Sequence, residues 1–138
     1  MSPFSPLELA NAEGKAKELL TAVKQAMGGT PNIFTTMANA PAALDGYLKF
    51  NGALGQGVLS SQLREQIALT VAGLNGCNYC ASAHTYIGDR TGLSAEELAQ
   101  NLQGQATDSR TQVALTFAKK LVETRGRVSE ADKESARN

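Results

Sequence analysis

The two cysteines and the only histidine of this chain lie close together, in the segment LNGCNYCASAHTYIG. They are Cys77, Cys80 and His84. Thiolate and imidazole groups can bind a metal ion, and two neighbouring thiols can form a redox-active disulfide. The same residues can also be two inert buried thiols beside a surface histidine. Which chemistry is possible depends on how the surrounding elements position the three side chains.

A helix through this segment places the three side chains on one face. At about 100° per residue, Cys77, Cys80 and His84 fall within a wedge of about 60°. Cysteines three residues apart on a helix have Cα atoms about 5 Å apart, a separation that a disulfide accepts. The same face carries Ile87 and Gly88 and is the least polar one, so we expect it to pack inward.

Two local features favour a thiolate in the cysteine pair. Cys77 is predicted in the first turn of the helix, where the helix dipole stabilises negative charge. His84 lies one turn after Cys80, within reach of its sulfur. The dipole alone favours Cys77 as the nucleophile, whereas the position of His84 favours Cys80.

The preceding helix supplies a carboxylate. Glu65 shares a helix face with small apolar residues, which indicates that a neighbouring element packs there. The break at Asn75-Gly76 permits an antiparallel helical hairpin. Glu65 lies about 15 Å before this break along the helix axis and His84 about 12 Å after it, so the hairpin brings them level to within a turn. Glu65, His84 and the cysteines are therefore predicted to form a proton relay that feeds a thiol.

The elements that position these residues are all predicted to be helices. Strand-like alternation is almost absent, and Ala, Leu, Glu, Gln and Lys are abundant, so the fold class is all-α in a single domain over residues 1–138. Start and stop signals predict helices that begin after the Ser5–Glu8 capping box, after Pro31, at Pro41, after Ser60-Ser61, at about Cys77, after Ser94, after Asp108 and after Ser129.

Composition excludes several function classes. The chain has 138 residues and zero formal net charge, which argues against a nucleic-acid-binding surface. No stretch approaches the ~20 apolar residues of a membrane span, and residues 1–14 do not have the pattern of a signal peptide. We therefore expect a cytoplasmic protein without nucleic-acid or membrane partners. In a reducing compartment, two cysteines are not expected to be a structural staple.

The pattern E-x11-C-x2-C-x3-H, formed by Glu65, Cys77, Cys80 and His84, resembles the signature of the AhpD-like alkylhydroperoxidases. These belong to the carboxymuconolactone decarboxylase superfamily. The flanking segments TPNIFTTMANAPAALDGYLKF and LREQIALTVAGLNGCNYCASAHTYIGDRTGLS are similar to its peroxidase-related branch, so that the resemblance covers about residues 28–125. It implies an all-helical bundle that assembles into homo-oligomers, often trimers or hexamers.

The resemblance also implies roles for the four residues. Cys80 attacks an organic hydroperoxide, Cys77 resolves the sulfenic acid as a disulfide, and Glu65 and His84 relay protons to the attacking thiol. No metal, flavin or other cofactor is implied. Turnover needs an external dithiol reductant of the dihydrolipoyl or thioredoxin type.

The chain departs from the resembled family at two places. Some members carry a second histidine between the cysteines, where this chain has Asn78-Tyr79. Family members usually continue past the position of Asn138 with a further core helix, which we predict to be absent here.

Other hypotheses remain beside the peroxidase. The dithiol could act as a redox relay that reduces a partner peroxidase, or the chain could be a decarboxylase-like or lactone-binding member, although that branch does not rely on a CxxC. Cys77, Cys80, His84 and Glu65 could bind zinc, but three ligands crowded on one helix face suit tetrahedral geometry poorly. His84 could also be a satisfied, partly buried histidine, and Glu65 a first-turn acid favoured by the helix dipole.

Overall fold

The computed structural model describes residues 4–137 of the chain, and within that range every regular element is a helix. The all-α prediction is therefore confirmed. A short 3-10 helix at Leu9–Asn11 comes first. The α-helices that follow are α1 (Gly14–Met27), α2 (Asn32–Met37), α3 (Pro41–Gly55), α4 (Ser61–Leu74), α5 (Asn78–Arg90), α6 (Ala95–Leu102), α7 (Ser109–Glu123) and α8 (Glu130–Arg137).

The chain divides into two compact units, residues 1–57 and residues 58–138. The first unit contains α1 to α3 and the second contains α4 to α8. The organisation as a single domain stays a prediction. No helix within residues 4–137 has the length and apolar character that crossing a bilayer requires.

The first unit has its core where α1 meets α2 and α3. Apolar residues on α1 recur at intervals of one turn, so one face of the helix is buried against its neighbours. The buried core residues of this unit are Ala12, Ala16, Leu19, Leu20, Val23, Phe34, Ala38 and Leu44. The helix α1 is followed by its C-cap Gly28, which has a φ of 78° that favours glycine.

The predicted helix start at Ser5–Glu8 is wrong. The α-helix begins only at Gly14, and Ser5 caps no helix. Contacts with α2 and its end hold this segment in an irregular path instead, because the Leu7 N–H donates to Thr35 O at 2.9 Å and the Asn39 side chain donates to Ser5 O at 2.8 Å. The local capping signal is thus overridden by hydrogen bonds to residues more than 25 positions away.

The second unit is built around α4, which packs against α5, α6 and α7. Its apolar core includes Leu69, Ala72, Leu93, Leu98 and Leu115. The prediction that a neighbour packs on the Glu65 side of α4 is confirmed, since Leu69 and Ala72 on that side are buried.

The remaining capping signals of the second unit are correct. Ser60 accepts a hydrogen bond from the Leu63 N–H and caps α4. Ser94 and Glu97 form the predicted capping box of α6. Asp108 caps α7 through the Thr111 N–H, and Ser129 pairs with Asp132 at the start of α8 in the same way. The caps fix the starts of α4, α6, α7 and α8.

Candidate active site

The hairpin of α4 and α5 carries the four predicted site residues. The two helices run antiparallel, because Cys77 N–H donates to Ala72 O at one end and the Gln62 side chain donates to Thr91 O at the other. Gly76 turns the chain between the helices with a φ of 61°. A turn with this left-handed residue reverses the chain within a few positions, as the sequence predicted.

The two cysteines are joined in a disulfide, with 5.3 Å between their Cα atoms. This separation lies inside the range that disulfides accept. Cys77 is the N-cap of α5 rather than a residue of its first turn, because its backbone is extended, with φ −87° and ψ 93°. In that position its Sγ accepts a hydrogen bond from the Cys80 N–H at 3.2 Å. The pair therefore sits at the positive end of the helix dipole.

Glu65 and His84 face each other across the hairpin. Nδ1 of His84 and Oε2 of Glu65 are 2.8 Å apart, so the predicted proximity of the two residues is confirmed. With Nδ1 engaged by the carboxyl group, Nε2 is the ring nitrogen left for other partners. The Glu65 side chain is 17% exposed and that of His84 34%, which places the pair at the edge of the protein interior.

The site face of α5 is half-buried. Cys77, Cys80 and His84 are each partly exposed, while Gly88 on the same face is buried. This face thus packs inward only at its C-terminal end. Partial exposure is compatible with chemistry, since a small oxidant must reach sulfur and a reductant must reach the disulfide.

Gly88 is a residue whose contribution the sequence did not reveal. A Cβ at this position would lie 2.6 Å from Leu98 Cδ2 and 3.8 Å from Glu65 Cβ. The absence of a side chain therefore lets α5 approach α4 and α6 closely beside the Glu65–His84 pair. A glycine inside a helix is the available signal, because it lowers helix stability and often has a packing reason.

The geometry bears on the zinc alternative. Both sulfurs are engaged in the disulfide, and Glu65 is hydrogen-bonded to His84. Among residues 4–137, no group of three or more His, Cys, Asp and Glu residues has an arrangement that could hold a metal ion. In this structure the four residues form a disulfide and a hydrogen-bonded imidazole–carboxylate pair.

Tyr79 and Tyr86 of α5 are exposed. The Arg90 guanidinium lies 4.3 Å from the centroid of the Tyr86 ring. This is a cation–π contact between side chains one turn apart on the helix. The Tyr86 ring therefore packs along the outer face and not over the disulfide.

Comparison with protein families matches residues 41–131 to the family described as the carboxymuconolactone decarboxylase family. That range contains all four candidate site residues. A comparison with curated proteins finds no match.

Several solved structures are similar to almost the whole chain. A peroxidase-related protein from Ralstonia eutropha JMP134, described as an alkylhydroperoxidase AhpD core, is 29% identical with a TM-score of 0.79, over 99% of this chain and 76% of that one. The alkylhydroperoxidase AhpD core from Rhodospirillum rubrum ATCC 11170 is 25% identical with a TM-score of 0.66, over 95% and 96%. A peroxidase-related protein from Silicibacter sp. TM1040 shares the fold at 24% identity, with a TM-score of 0.81 over 99% and 78%.

Proposed function

The chain belongs to the carboxymuconolactone decarboxylase family as an AhpD-like member, and from this premise we propose that it is a thiol-dependent hydroperoxide reductase. The observation that carries the proposal is the Cys77–Cys80 disulfide on the same hairpin as the hydrogen-bonded Glu65–His84 pair. The relatives described as alkylhydroperoxidase AhpD cores support the same chemistry.

In the proposed first step, the Cys80 thiolate attacks one oxygen of an organic hydroperoxide. The O–O bond breaks, Cys80 becomes a sulfenic acid, and the leaving alkoxide takes a proton to give the alcohol. In the second step, the Cys77 thiolate attacks the sulfenic sulfur, the disulfide forms, and hydroxide leaves as water. One hydroperoxide and two thiols thus give one alcohol, one water and one disulfide.

His84 and Glu65 are proposed as the proton relay for both steps. Glu65 fixes the imidazole through Nδ1, so Nε2 can accept the Cys80 thiol proton and later return it to the leaving oxygen. The carboxylate also stabilises the imidazolium that forms in between. A carboxylate that orients a histidine in this way recurs in many thiol and hydroxyl nucleophile sites.

The catalytic cycle needs an external dithiol to reduce the disulfide. We propose a dihydrolipoyl or thioredoxin-type reductant, no bound cofactor, a homo-oligomer such as a trimer or hexamer, and a cytoplasmic location. The decarboxylase-like alternative does not explain a disulfide at the helix N-terminus, because that chemistry needs no second thiol.

The proposal is tested by a single turnover. Pre-reduced, metal-free protein is mixed with one equivalent of cumene hydroperoxide, and free thiols are counted over time beside Cys80→Ser and Cys77→Ser variants. We expect rapid loss of both thiols in the parent and no fast loss in Cys80→Ser. In Cys77→Ser, Cys80 should still react but stop at a sulfenic acid that dimedone captures. Thiol loss no faster than that of a free model thiol would remove the peroxidase proposal.

A further inference from the structure

We infer that a polar cavity in the second unit binds a small organic cation of the guanidinium type. The cavity has a volume of about 220 Å³ and lies between α4, α6 and the start of α7. Four residues of its wall carry the inference: Gln66 on α4, Glu97 and Asn101 on α6, and Asp108 at the N-cap of α7. None of them is a proposed catalytic residue, so the inference goes beyond the proposed function and does not depend on it.

Gln66 is a buried polar residue whose side-chain amide is unpaired. The residue is only 8% exposed, and it lines the cavity. The hydrogen bond that reaches it from the Thr70 hydroxyl ends on its backbone oxygen, and the side-chain amide forms no hydrogen bond with residues 4–137. A buried amide is costly unless its donors and its acceptor are paired. Gln66 therefore indicates that a polar molecule occupies the cavity.

Asn101 supplies an unpaired acceptor to the same cavity. It is 1% exposed, and its Nδ2 donates to Gln105 O at 2.9 Å. Its Oδ1 is buried and has no hydrogen-bond partner in the part of the chain that the structure describes. Because the Nδ2 bond fixes the orientation of the amide, Oδ1 needs a donor from a bound molecule.

The charge of the wall favours a cation. Hydrogen bonds from the backbones of Ser94 and Thr111 lower the pKa of Glu97 and that of Asp108, so both carboxylates are ionised at neutral pH. The bonds from Ser94 end on Oε2 of Glu97, which leaves Oε1 for a ligand. Among the described residues, no Lys, Arg or His lines this cavity, and the exposed Arg110 lines a neighbouring one. The wall thus carries a surplus of negative charge.

A planar cation with several N–H donors fits these groups. The acceptors Asn101 Oδ1, Glu97 Oε1 and Gln66 Oε1 belong to two different helices, so a ligand must donate in more than one direction. Guanidinium holds its donors in a fixed fork and can bind a carboxylate through two parallel bonds. Cavities that take drug-sized ligands start at about 300 Å³, so this smaller cavity fits a small free compound.

The test is an NMR titration of the full-length protein at constant ionic strength. Methylguanidinium chloride is added while the side-chain amide resonances of Gln66 and Asn101 are followed. We expect both to shift and to saturate, with a Kd of about 1 mM. Tetramethylammonium has the same charge but no N–H donor, and it should cause no saturable shift. The inference is wrong if methylguanidinium causes no saturable shift, as for a cavity that holds only water, or if the two cations cause equal shifts.

A pair of variants locates the bound cation. Glu97→Gln keeps the capping box of α6 and removes one charge from the cavity wall, so it should raise the Kd for methylguanidinium by about tenfold. The matched control is Glu96→Gln, at the neighbouring exposed carboxylate outside the cavity wall, and it should leave the Kd unchanged. Equal Kd values for Glu97→Gln and the parent would place the cation elsewhere and overturn the inference. Neither experiment uses a peroxide, so a protein without peroxidase activity can still pass both, and an active peroxidase can fail both.

Discussion

Glu65 and His84 should act as one unit at the level of single residues. Their hydrogen bond of 2.8 Å joins the only imidazole of the chain to a carboxylate on the neighbouring helix. Replacing Glu65 by Gln keeps a hydrogen-bonding side chain but removes the charge. We expect the rate of hydroperoxide reduction to fall by about 100-fold, the scale of general acid–base catalysis.

The double variant is the sharper measurement. If the two residues form one relay, Glu65→Gln combined with His84→Gln should slow single-turnover thiol oxidation no more than the slower single variant does. The matched control is Asp89→Asn, at an exposed carboxylate near the end of α5, the helix that carries His84. This variant should react as the parent does. Multiplicative losses in the double variant would show that the two side chains act separately.

Cys77 should also stabilise the protein as a cap. In the reduced protein, Cys77→Ala removes the side-chain acceptor at the N-cap of α5, whereas Cys77→Ser keeps one. Loss of a capping acceptor costs about 1 kcal/mol of the free energy of unfolding. Urea unfolding under reducing conditions should therefore place Cys77→Ala below Cys77→Ser by about this amount. Equal stabilities would mean that the cap contributes nothing.

The four site residues could be predicted from sequence for a simple geometric reason. Three of them share one helix, so their spacing fixes their relative positions, and a short turn then fixes the fourth. The sequence placed Cys77 in the first turn of α5, whereas it is the N-cap. Only the extended backbone of Cys77 distinguishes the two positions. The tight packing of Gly88 was also missed, since it depends on Leu98 of another helix.

At the scale of the elements, the free energy of unfolding should be most sensitive to added side-chain atoms where two helices pack closely. A Cβ at Gly73 on α4 would collide with the backbone carbonyl of Leu102 at the end of α6. Backbone cannot move aside as a side chain can, so Gly73→Ala should lower the free energy of unfolding by about 1–3 kcal/mol.

The matched control for Gly73 is Gly52→Ala, in the last turn of α3. A Cβ there meets nothing within 4 Å, and alanine forms helices better than glycine does. We expect Gly52→Ala to raise the free energy of unfolding by about 0.5–1 kcal/mol. Urea titrations of the two variants beside the parent check whether the free energy of unfolding falls for Gly73→Ala and rises for Gly52→Ala. A neutral Gly73→Ala would mean that α6 can shift away from α4 without cost.

The acidic caps should make the second unit sensitive to low pH. Hydrogen bonds from the Ser94 backbone and side chain lower the pKa of Glu97, and bonds from Thr111 lower that of Asp108. Bonds from the Ser129 side chain and backbone lower the pKa of Asp132. Each group then binds protons less readily in the folded state than in the unfolded state. Its contribution to the stability of the folded protein is therefore complete above the pKa of the unfolded state and is lost as the pH falls through the pKa of the folded state.

The corresponding measurement is thermal unfolding between pH 6 and pH 2.5. In the unfolded chain the three carboxyl groups titrate at their ordinary pKa values, about 4.3 for glutamate and about 3.9 for aspartate, so the melting temperature should fall mainly below about pH 4. Asp108→Asn keeps a good capping residue that does not titrate, and it should show a shallower fall than the parent. If Asp108→Asn leaves the pH dependence of the melting temperature unchanged, the α7 cap does not contribute to the sensitivity to low pH.

Helix starts illustrate why the elements could be predicted only in part. Ser94–Glu97 and Ser5–Glu8 have the same capping pattern, yet only the first caps a helix. Backbone groups of the second segment form hydrogen bonds with Thr35 and Asn39, and no local sequence pattern reveals these partners. Capping signals are thus reliable where no distant partner competes for the same backbone groups.

At the scale of the whole molecule, apolar periodicity predicted which helices have an apolar face but not what that face meets. Val113, Phe117 and Leu121 recur every four residues along α7 and form an apolar stripe, yet the fully buried residue of this helix is Leu115. The stripe instead borders an open cavity of about 480 Å³ in the second unit, with Phe117 and Leu121 in its wall. A periodic pattern cannot distinguish a face buried within one chain from a face that another molecule could cover.

This exposed apolar surface gives the oligomer prediction a concrete test. Leu121 remains 39% exposed within the single chain, and Leu59, which also lines this cavity, is 46% exposed. If copies of the chain associate through this surface, the solution mass should be a multiple of 14.5 kDa. Leu121→Lys should shift the mass towards the single chain, because a buried charge without a partner is costly. Glu123→Lys, at an exposed polar position of the same helix, should leave the mass unchanged. Sedimentation velocity distinguishes these outcomes: a parent that sediments as a single chain would contradict oligomerisation itself, whereas an oligomer that tolerates Leu121→Lys would place the interface elsewhere.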